Sequence, residues 1–491
     1  MSPSVRVRYA PSPTGYLHVG GARTALFNYL FARHHRGTFI LRIEDTDRNR
    51  FVEGALNEIY ESLRWLGLEW DEGPEVGGEY GPYIQSERLQ IYKKQAEELL
   101  STGNAYRCFC TPQRLEQVRL AQEKAKSPTG YDRHCRKLSK QESDAMAAEG
   151  KPFIIRMKIP KDTTVAFDDL IRGRIEYSSN VLDDLVLLKS DGFPTYHLAN
   201  VVDDHFMAIS HVMRGDEWIA STPRHVLLYQ AFGWTPPVFA HLPIILDPSG
   251  GKLSKRKGAA SVMDFKRAGY LPEALFNFLA FLGWSPGAGD EREKMSREEL
   301  ISAFSLDKVS PKSAVFDEKK LEWMNGLYLT DRTIESIIPD VYALWKQKGI
   351  VPAERQMNDP LVQDAIRLLK DRSKRLTEIA ESGAYFFADP SAYDEQAAKK
   401  HFKPESLPIL KTLAGKMMQL SIFDHASIEG VYRDYAEKSG LSAGNLIHPT
   451  RLAVSGVSYG PGLFELLEVL GKETVLRRMN AAVAWMEKAS R

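Results

Sequence analysis

Apolar residues follow two different periods along the first part of the chain, and their order predicts a sheet flanked by helices. Residues 5–9 alternate as a strand does, and residues 38–43 form a second apolar strand that ends in Glu44. Residues 20–35 and 51–66 carry apolar side chains at helical spacing. A strand, helix, strand, helix order predicts a doubly wound parallel α/β sheet of the Rossmann type, in which ligands bind beyond the carboxyl ends of the strands.

Between residues 106 and 195 the alternation is interrupted by turns, short strands and a basic stretch, which indicates an inserted α+β domain. We expect the apolar run 184–189, the Asp191-Gly192 turn and the run 196–202 to form a hairpin that leads back to the sheet. The pattern then predicts a strand, a helix and a further strand over residues 209–214, 223–232 and 241–246.

After residue 258 the spacing of apolar residues becomes helical, which predicts an all-α region at the end of the chain. The predicted helices cover residues 271–282, 317–324, 334–348, 361–381 and 474–488. The whole pattern predicts five segments: 1–105, first half of the sheet domain; 106–195, inserted domain; 196–258, second half; 259–330, linker domain; and 331–491, helical domain.

Composition limits the classes of protein that fit this pattern. With 491 residues the chain is too long for one core, and its net charge of +1 means that local basic patches must hold any polyanion. The first residues lack the apolar segment of a signal peptide, and no apolar run reaches the roughly 18 residues of a membrane span. Three cysteines cannot form a disulfide framework, so we expect a cytoplasmic protein that does not bind membranes.

Two distant segments carry the candidate chemistry. Residues 11–21, Pro-Ser-Pro-Thr-Gly-Tyr-Leu-His-Val-Gly-Gly, form a strand-to-helix turn, where backbone N–H groups and the helix dipole favour an anion. Residues 252–257, Lys-Leu-Ser-Lys-Arg-Lys, place four cations behind Gly250 and Gly251. Taken alone, the first segment could be an ordinary turn without a ligand, and the second could be a solvated run of charges. Together they indicate that one phosphate group is held from two sides.

These segments resemble the two motifs of class I aminoacyl-tRNA synthetases: residues 18–21 resemble His-Ile-Gly-His, and residues 252–256 resemble Lys-Met-Ser-Lys-Ser. One departure is Gly21, where the general pattern has His. Residues 8–23, 42–48, 196–204 and 214–218 look specifically like those of bacterial glutamyl-tRNA synthetases. The resemblance implies activation of L-glutamate by ATP, giving glutamyl-adenylate and pyrophosphate, and transfer of glutamate to the 3′ end of tRNA(Glu).

The resemblance also implies roles for individual residues, with Mg²⁺ carried on the nucleotide. His18, Lys252 and Lys255 would be the catalytic residues. The implied ATP-binding residues are Pro11, Ser12, Pro13, Thr14, Gly15, His18, Gly20, Gly21, Glu217, Lys252, Ser254 and Lys255. The implied glutamate-binding residues are Arg8, Ala10, Ser12, Glu44, Tyr196, Asn200 and Arg214, a set whose guanidinium groups suit two carboxylates and whose acid suits one ammonium.

All three cysteines fall in one window, and Cys108, Cys110 and Cys135 have a spacing that suits structural Zn²⁺. Many bacterial members of the family continue with Cys-x-His, but Lys137 stands at that final position here. Tyr131 matches the tyrosine-containing zinc site of glutamyl-queuosine synthetases, and His134 is another candidate fourth ligand. Three reduced thiols without a metal are the alternative.

The same window is basic, with nine Lys or Arg against three acids over residues 107–140. A solvated charged helix is the ordinary explanation, but in this context we expect contact with the acceptor end of tRNA. In the helical region, Arg367, Lys370 and Lys374 would share one helix face and could contact the anticodon. The family resemblance implies a monomer, and nothing in the chain suggests DNA binding.

Three rival functions fit parts of the chain. A glutaminyl-tRNA synthetase shares the catalytic core, but its anticodon-binding part has β-barrel character. A glutamyl-queuosine synthetase lacks the anticodon-binding region, which the length of this chain disfavours. An inert tRNA-binding paralogue is disfavoured because His18, Lys252 and Lys255 are all retained. Whether tRNA(Gln) is also charged does not follow from the sequence.

Overall fold

A computed structural model describes residues 4–47, 50–251, 253 and 261–489 of the chain. The fold divides into two compact units. The first comprises residues 1–264 and 275–317, and the second comprises residues 265–274 and 318–491. The five segment boundaries given above stay predictions. Among the described residues, no helix is both long and apolar enough to cross a bilayer.

The strands all lie in the first unit. In chain order they are β1 (Arg6–Tyr9), β2 (Thr38–Leu41), β3 (Ala105–Cys108), β4 (Ile154–Met157), β5 (Thr164–Asp169), β6 (Gly173–Ser178), β7 (Val186–Leu188), β8 (His211–Gly215), β9 (Val238–Leu242), β10 (Ile245–Leu246) and β11 (Ala314–Val315).

The helices divide between the units. Those in or entering the first unit are α1 (Val19–His34), α2 (Ala55–Trp65), α3 (Leu89–Ser101), α4 (Pro112–Lys124), α5 (Lys140–Ala148), α6 (Tyr196–Phe206), α7 (Thr222–Phe232), α8 (Val262–Arg267), α9 (Pro272–Ala280) and α10 (Arg297–Ala303). Those that follow are α11 (Glu318–Asp331), α12 (Ile334–Gln347), α13 (Pro360–Lys370), α14 (Leu376–Ser382), α15 (Ala384–Phe387), α16 (Glu395–His401), α17 (Ser406–Met418), α18 (His425–Ser439), α19 (Ala443–Ser455), α20 (Leu463–Leu470) and α21 (Lys472–Ala489).

The doubly wound parallel sheet predicted from the sequence is confirmed. β1 pairs with β2 in parallel, from Arg6 opposite Thr38 to Tyr9 opposite Leu41. β8 pairs with β9 in parallel, and β9 pairs in turn with β5. The backbone N–H of Ser210, just before β8, donates to the carbonyl of Arg6 at 2.9 Å, so β8 runs beside β1. The carboxyl ends of β1, β2 and β8 therefore open toward one side.

The predicted extended run over residues 196–202 is wrong, because these residues begin helix α6. The Asp191-Gly192 turn does form, with Gly192 at φ 84°, and Pro194 bridges back to Leu188 before the helix begins at Tyr196. In a helix, Tyr196, Asn200 and Asp203 lie on one face at i, i+4 and i+7. The polar residues of this run therefore mark a helix face, and the apolar residues between them fill the opposite side.

The inserted region contains both its own sheet and a part of the main one. β3, β4 and β7 form a three-stranded antiparallel sheet. The β5–β6 hairpin instead joins β9, through Asp169 opposite Phe239. One continuous apolar core extends from Ile40 through Tyr92 and Ile155 to Phe239, so the inserted sheet and the parallel sheet share their interior.

The second unit is helical, as predicted, and its core is built from α12–α14 and α17–α21. The single helix predicted over residues 361–381 is instead two, since α13 ends at Lys370 and α14 begins at Leu376. The common basic face proposed for Arg367, Lys370 and Lys374 is therefore wrong. Lys370 is buried and donates to the carbonyl of Thr330 at 2.7 Å.

Candidate functional site

The end of β1 and the end of β2 are joined by hydrogen bonds that continue beyond the two strands. The backbone N–H of Arg42 donates to the Tyr9 carbonyl, and that of Glu44 donates to the Pro11 carbonyl, both at 3.0 Å. Ser12 Oγ donates to the Glu44 carbonyl at 2.7 Å. These contacts hold Glu44 next to the turn that leads into α1.

A cavity of about 990 Å³ opens at this edge of the sheet. Fourteen of the residues implied for ATP or glutamate line it: Arg8, Ala10, Pro11, Ser12, Thr14, Gly15, His18, Gly20, Gly21, Glu44, Tyr196, Asn200, Arg214 and Glu217. Pro13 is buried outside the lining, and its carbonyl accepts from the backbone N–H of Val52 at 3.0 Å. Lys252, Ser254 and Lys255 lie outside the described residues.

His18 caps the first turn of α1. Its Nδ1 accepts hydrogen bonds from the backbone N–H groups of Gly20 at 3.1 Å and Gly21 at 3.3 Å. An imidazole that accepts at Nδ1 carries its proton on Nε2 when neutral. The cap thus fixes the tautomer of an exposed ring, with the ring proton on Nε2.

A side chain at Gly21 would displace its neighbours. A Cβ there would lie 2.7 Å from Tyr9 Oη and 2.9 Å from Leu17 Cδ1. Both distances are shorter than van der Waals contact allows, so the neighbours would have to move. The departure from the general His-Ile-Gly-His pattern at this position follows from the packing of Tyr9 and Leu17 against the helix start.

The described residues on both sides of the lysine-rich segment lie at the cavity. Leu253 lines it, and its backbone N–H donates to the Ile245 carbonyl at 3.0 Å. On the other side, Ser261 forms an isolated antiparallel bridge with His18, and the N–H of Val262 donates to the Leu17 carbonyl at 2.9 Å. The described residues Leu253 and Ser261 are thus both held near the turn that contains His18.

A buried network of charges, which we name the carboxylate wall, consists of Arg8, Arg42, Glu44, Asp203 and Asp204. Arg8 and Glu44 line the cavity, and the other three residues lie behind them. Arg8 pairs with Asp204 through two hydrogen bonds of 2.9 and 3.2 Å. Arg42 is fully buried and donates to Asp204 at 2.7 Å and to Glu44 at 3.0 Å. Asp203 accepts from Arg88, Gln85 and Tyr92 in turn.

The charges of the carboxylate wall are matched. Burial disfavours the charge of Arg42, but Asp204, Glu44 and Asp203 outweigh it and raise the pKa of Arg42 well above its ordinary value. Burial likewise opposes ionisation of Asp204, yet Arg8 and Arg42 hold its pKa below the ordinary value. Glu44 lies at the edge of the network, and its pKa is raised because burial outweighs Arg42.

A second group of residues, which we name the neutral wall, surrounds Arg214 with Tyr196, Thr222, His225 and His241. Arg214 and Tyr196 line the cavity. Arg214 Nη1 donates to Tyr196 Oη at 3.0 Å and approaches His225 Nδ1 at 3.3 Å. Arg214 Nη2 donates to Thr222 Oγ1 at 2.8 Å, and Nε donates to His241 Nε2 at 3.1 Å. Arg214 itself is buried.

The histidines of the neutral wall are uncharged at neutral pH. Burial first, and then the charge of Arg214, lower the pKa of His225 well below its ordinary value. Burial also lowers the pKa of His241, although Asp169 opposes that shift. His225 Nε2 meets His197 Nδ1 at 3.1 Å, and burial lowers the pKa of His197 to about 4. The neutral rings of His225 and His241 can therefore accept hydrogen bonds from Arg214.

Sequence reasoning missed Arg42, Asp203 and Asp204, and all of the neutral wall except Tyr196. A signal was present: Arg8, Arg42 and Arg214 each follow apolar residues at the end of a strand, where an arginine must find acceptors. Once residues 196–204 are recognised as helical, Asn200, Asp203 and Asp204 fall on one face. No comparable signal identifies Thr222, His225 or His241.

The three cysteines come together as their spacing predicts. Their sulfur atoms all lie within 4.8 Å of one another, with Cys110 Sγ and Cys135 Sγ 3.5 Å apart. Tyr131 Oη is 3.2 Å from Cys108 Sγ, whereas His134 is exposed and lies outside the cluster. Hydrogen bonds from Cys135 and then Tyr131 lower the pKa of Cys108 to about 4. The donor set and its compactness fit a structural Zn²⁺.

Most arginines of the basic window are already engaged. Arg107, Arg114 and Arg119 pair with acids inside the window or next to it, and Arg136 pairs with the buried Asp184 at 3.0 Å. Within the described ranges, four exposed cations of the window form no ion pair: Lys124, Lys126, Lys137 and Lys140.

Comparisons with known proteins agree with one another. Residues 4–323 match the family model of the class I tRNA synthetases (E and Q), catalytic domain, and residues 334–483 match that of an anticodon binding domain. The chain is 46% identical to the glutamate–tRNA ligase of Moorella thermoacetica, over 99% of each protein. It is 48% identical to that of Dehalococcoides mccartyi, over 99% of this chain and 98% of the relative. A crystal structure of a glutamate tRNA ligase from Elizabethkingia meningosepticum, in complex with its amino acid, superposes with a TM-score of 0.90 at 40% identity, covering 98% of this chain and 99% of that one.

Proposed function

Since this chain belongs to the glutamate–tRNA ligases, a family of class I tRNA synthetases, we propose that the cavity at the carboxyl ends of β1, β2 and β8 is where L-glutamate and ATP react. The enzyme joins glutamate to ATP, releases pyrophosphate, and transfers the glutamyl group to the 3′ end of tRNA(Glu). The observation that carries the site assignment is the convergence of Arg8, Glu44 and Arg214 on the cavity that also contains the turn before α1.

The reaction requires positioning and charge stabilisation. The α-carboxylate of glutamate attacks the α-phosphorus of ATP, bound as its magnesium complex, and the bond to pyrophosphate breaks. The ribose hydroxyl then attacks the carbonyl of the adenylate, and AMP leaves. A protein nucleophile is not needed, because both attacking groups belong to substrates.

Glutamate would lie between the two walls. Arg214 would pair with one carboxylate and Arg8 with the other, since a guanidinium binds a carboxylate through two parallel hydrogen bonds. Glu44 would accept the ammonium group, and the positive charge of that group would favour the ionised form of a carboxyl whose pKa burial raises. Tyr196, Asn200 and Ser12 would supply neutral contacts.

The phosphates of ATP would lie at the start of α1. His18 Nε2–H would donate to them, and the lysine-rich segment would approach from the side where Leu253 and Ser261 are anchored. Lys252 and Ser254 would hold the phosphates, and Lys255 would stabilise the charge that develops as pyrophosphate leaves. We expect Lys255→Ala to slow adenylate formation at least tens-fold, the loss of one charge-stabilising donor of about 2–4 kcal/mol. Near-wild-type pyrophosphate exchange, assayed with tRNA present, would remove Lys255 from the mechanism.

Charging assays test the function as a whole. Purified tRNA(Glu) and tRNA(Gln) would be charged separately with labelled glutamate, with and without magnesium. We expect magnesium-dependent charging of tRNA(Glu), and the second tRNA decides whether the enzyme is discriminating. Tight binding of tRNA without any charging would favour an inert binding protein.

In the cysteine cluster, Cys108, Cys110, Cys135 and Tyr131 would hold a structural Zn²⁺ that fixes the inserted sheet. The compact sulfur cluster and the hydroxyl beside it support this assignment. Metal analysis of the purified protein tests it. We expect one zinc per chain, lost in Cys110→Ser and retained in His134→Ala. Protein purified without chelators that lacks zinc would favour three reduced thiols.

The exposed lysines Lys124, Lys126, Lys137 and Lys140 would contact the acceptor end of tRNA. Changing all four to Gln should raise the KM for tRNA and flatten its dependence on salt, because fewer counterions are released. The matched control changes Arg119 to Gln, since that side chain already pairs with Glu116. Equal effects of the two changes on the salt dependence would contradict the assignment.

In the helical unit, a different arginine is the stronger candidate for a tRNA contact. Within the described part of the chain, Arg451 Nη1 and Tyr385 Oη are both buried without a hydrogen-bond partner, and both lie 3.2 Å from where a Cβ of Gly460 would be. A nucleotide could satisfy both groups. We expect Arg451→Gln to raise the KM for tRNA at least tenfold with little change for glutamate. The control is Arg433→Gln on the exposed surface of α18, paired only with Glu429. Unchanged tRNA kinetics in Arg451→Gln would exclude the contact.

A monomeric enzyme of the cytoplasm is the remaining part of the proposal. The three cysteines are free thiols in the described structure, which suits a reducing compartment. Light scattering on purified protein should give a mass near the 55.4 kDa of one chain, and twice that mass would contradict it.

A further inference from the structure

Arg214 is a buried cation without a direct carboxylate partner in the part of the chain that the structure describes. Its exposed fraction is 5%, and its donors meet two hydroxyl oxygens and two imidazole nitrogens. Charges of this kind are rare inside proteins, because desolvation costs several kcal/mol unless an ion or a network compensates. Arg8, buried to a similar degree, has Asp204 at 2.9 Å.

Behind the neutral wall, Asp169 fixes the orientation of His241. Asp169 Oδ2 accepts from His241 Nδ1 at 2.6 Å and from the backbone N–H of His241 at 3.0 Å. Oδ1 accepts from the backbone N–H groups of Ile171 and Arg172, and the side chains of Asp169 and His241 are both buried. With the proton held at Nδ1, His241 Nε2 presents a lone pair to Arg214 Nε at 3.1 Å.

We infer that His241 is a positioning residue for selection of the amino acid: held in one tautomer by Asp169, it fixes the Arg214 guanidinium with a neutral acceptor and leaves its charge for the side-chain carboxylate of the substrate. Thr222, His225 and Tyr196 complete the same arrangement. The inference deepens the proposed function and rests on Arg214 contacting the substrate side chain.

The physical consequence is discrimination between a carboxylate and an amide. Glutamate and glutamine have nearly the same shape, so contact area cannot separate them. A buried cation of this kind gains a charge-assisted hydrogen bond from the carboxylate of glutamate and only a weaker, uncharged contact from the amide of glutamine. If a carboxylate of the protein already paired with Arg214, that difference would shrink. The neutral wall therefore contributes to specificity because its side chains in contact with Arg214 are uncharged.

Position 222 offers a matched pair of variants. Thr222→Asp places a carboxylate where Arg214 Nη2 now meets a hydroxyl at 2.8 Å, and Thr222→Asn adds a neutral group of the same size. We expect Asp to raise the KM for glutamate at least 100-fold and to lower the preference for glutamate over glutamine at least tenfold, with Asn costing less than tenfold in KM. The KM for ATP should change by less than threefold in both.

The tautomer is tested separately at Asp169 and His241. In Asp169→Asn the side-chain amide can donate a hydrogen bond to His241 Nδ1. The ring proton then moves to Nε2, where it points at the Arg214 Nε–H donor in place of the lone pair. We expect the KM for glutamate to rise 10- to 100-fold with the KM for ATP nearly unchanged. His241→Gln can place an amide oxygen near the Nε2 position, so it should keep more glutamate affinity than His241→Leu, which has no acceptor.

The outcomes separate the inference from the function on which it rests. If Arg214→Leu leaves the KM for glutamate unchanged, the assignment of Arg214 fails and the inference falls with it. If Arg214→Leu raises that KM while Thr222→Asp and Thr222→Asn behave alike, only the inference is overturned. Should Thr222→Asp not fold, as judged by its melting curve, the His241 pair decides. Equal glutamate KM values for Gln and Leu would then overturn the proposal.

Discussion

The two walls of the cavity use the same residue type for opposite purposes. On the carboxylate wall, Arg8 and Arg42 are matched by Asp204, Asp203 and Glu44 within hydrogen-bonded or ion-pair distance. On the neutral wall, the direct contacts of Arg214 with described residues are all to uncharged acceptors, and the nearest acid of its network, Asp169, lies behind His241. Arg8 and Arg214 both line the cavity, but Arg8 is paired with a carboxylate and Arg214 is held by uncharged groups.

The difference teaches how a buried guanidinium divides between architecture and recognition. Arg8 holds β1 to helix α6 through its ion pair with Asp204. Because the two residues are 196 positions apart in the chain, this pair contributes to the fold. Arg214 is held in place by groups that do not depend on its charge being neutralised. A matched charge therefore serves the structure as well as a ligand, whereas an unmatched one is left for the ligand.

The largest effect should come from breaking the carboxylate wall. Arg8→Leu leaves Asp204 buried with Arg42 as its remaining cation, and we expect a loss of about 3–5 kcal/mol in the free energy of unfolding. Denaturant titration measures it. The double variant Arg8→Leu/Asp204→Asn should recover part of that loss, since it removes the uncompensated charge. No recovery would mean that Arg8 stabilises by packing alone.

The same substitution on the neutral wall should have the opposite profile. Arg214→Leu removes a buried cation without a direct ionic partner, so we expect a stability change below about 1.5 kcal/mol. The KM for glutamate should nevertheless rise at least 100-fold, and the KM for ATP less than threefold. A loss of stability as large as that of Arg8→Leu would erase the contrast between the walls.

Glu44 sharpens the comparison because it lies at the edge of the carboxylate wall. Glu44→Gln keeps the contacts with Arg42 and Asn200, at 3.0 and 3.2 Å, but removes the charge proposed to meet the substrate ammonium. We expect about a tenfold rise in the KM for glutamate, near the 1.4 kcal/mol of a weakened ionic hydrogen bond, with a small change in melting temperature. An unchanged KM would place the ammonium elsewhere.

The smallest effect concerns pH. The pKa of His197 is lowered to about 4 by burial, and those of His225 and His241 are also lowered. The unfolded chain titrates near 6.5, so it binds protons first as the pH falls. The contribution of these rings to the free energy of unfolding is thus fully present above pH 6.5 and declines as the pH falls. For His197 the loss at pH 5 is about 1–2 kcal/mol. Calorimetry should show a shallower decline between pH 7 and 5 in His197→Gln than in wild type, and equal slopes would contradict the assignment.

The sequence by itself determined the local elements that form the site. The alternation before residue 10, the glycine-rich turn and the helical spacing after it give β1, the turn and α1 nearly as expected. The cysteine spacing likewise predicted the cluster that the structure assembles. Such features depend on residues close together in the chain, where backbone geometry and side-chain period leave few alternatives.

Only the tertiary structure decided which charges are matched. The acceptors of Arg8, Arg42 and Arg214 come from α6, α7 and β9, up to 196 residues away, and the helical nature of residues 196–206 was itself misjudged from a short apolar run. Whether a buried arginine meets a carboxylate or an imidazole depends on which helix packs over its strand. That choice is set by the packing of the whole core, because the cost of burying a charge is felt only once water has been excluded.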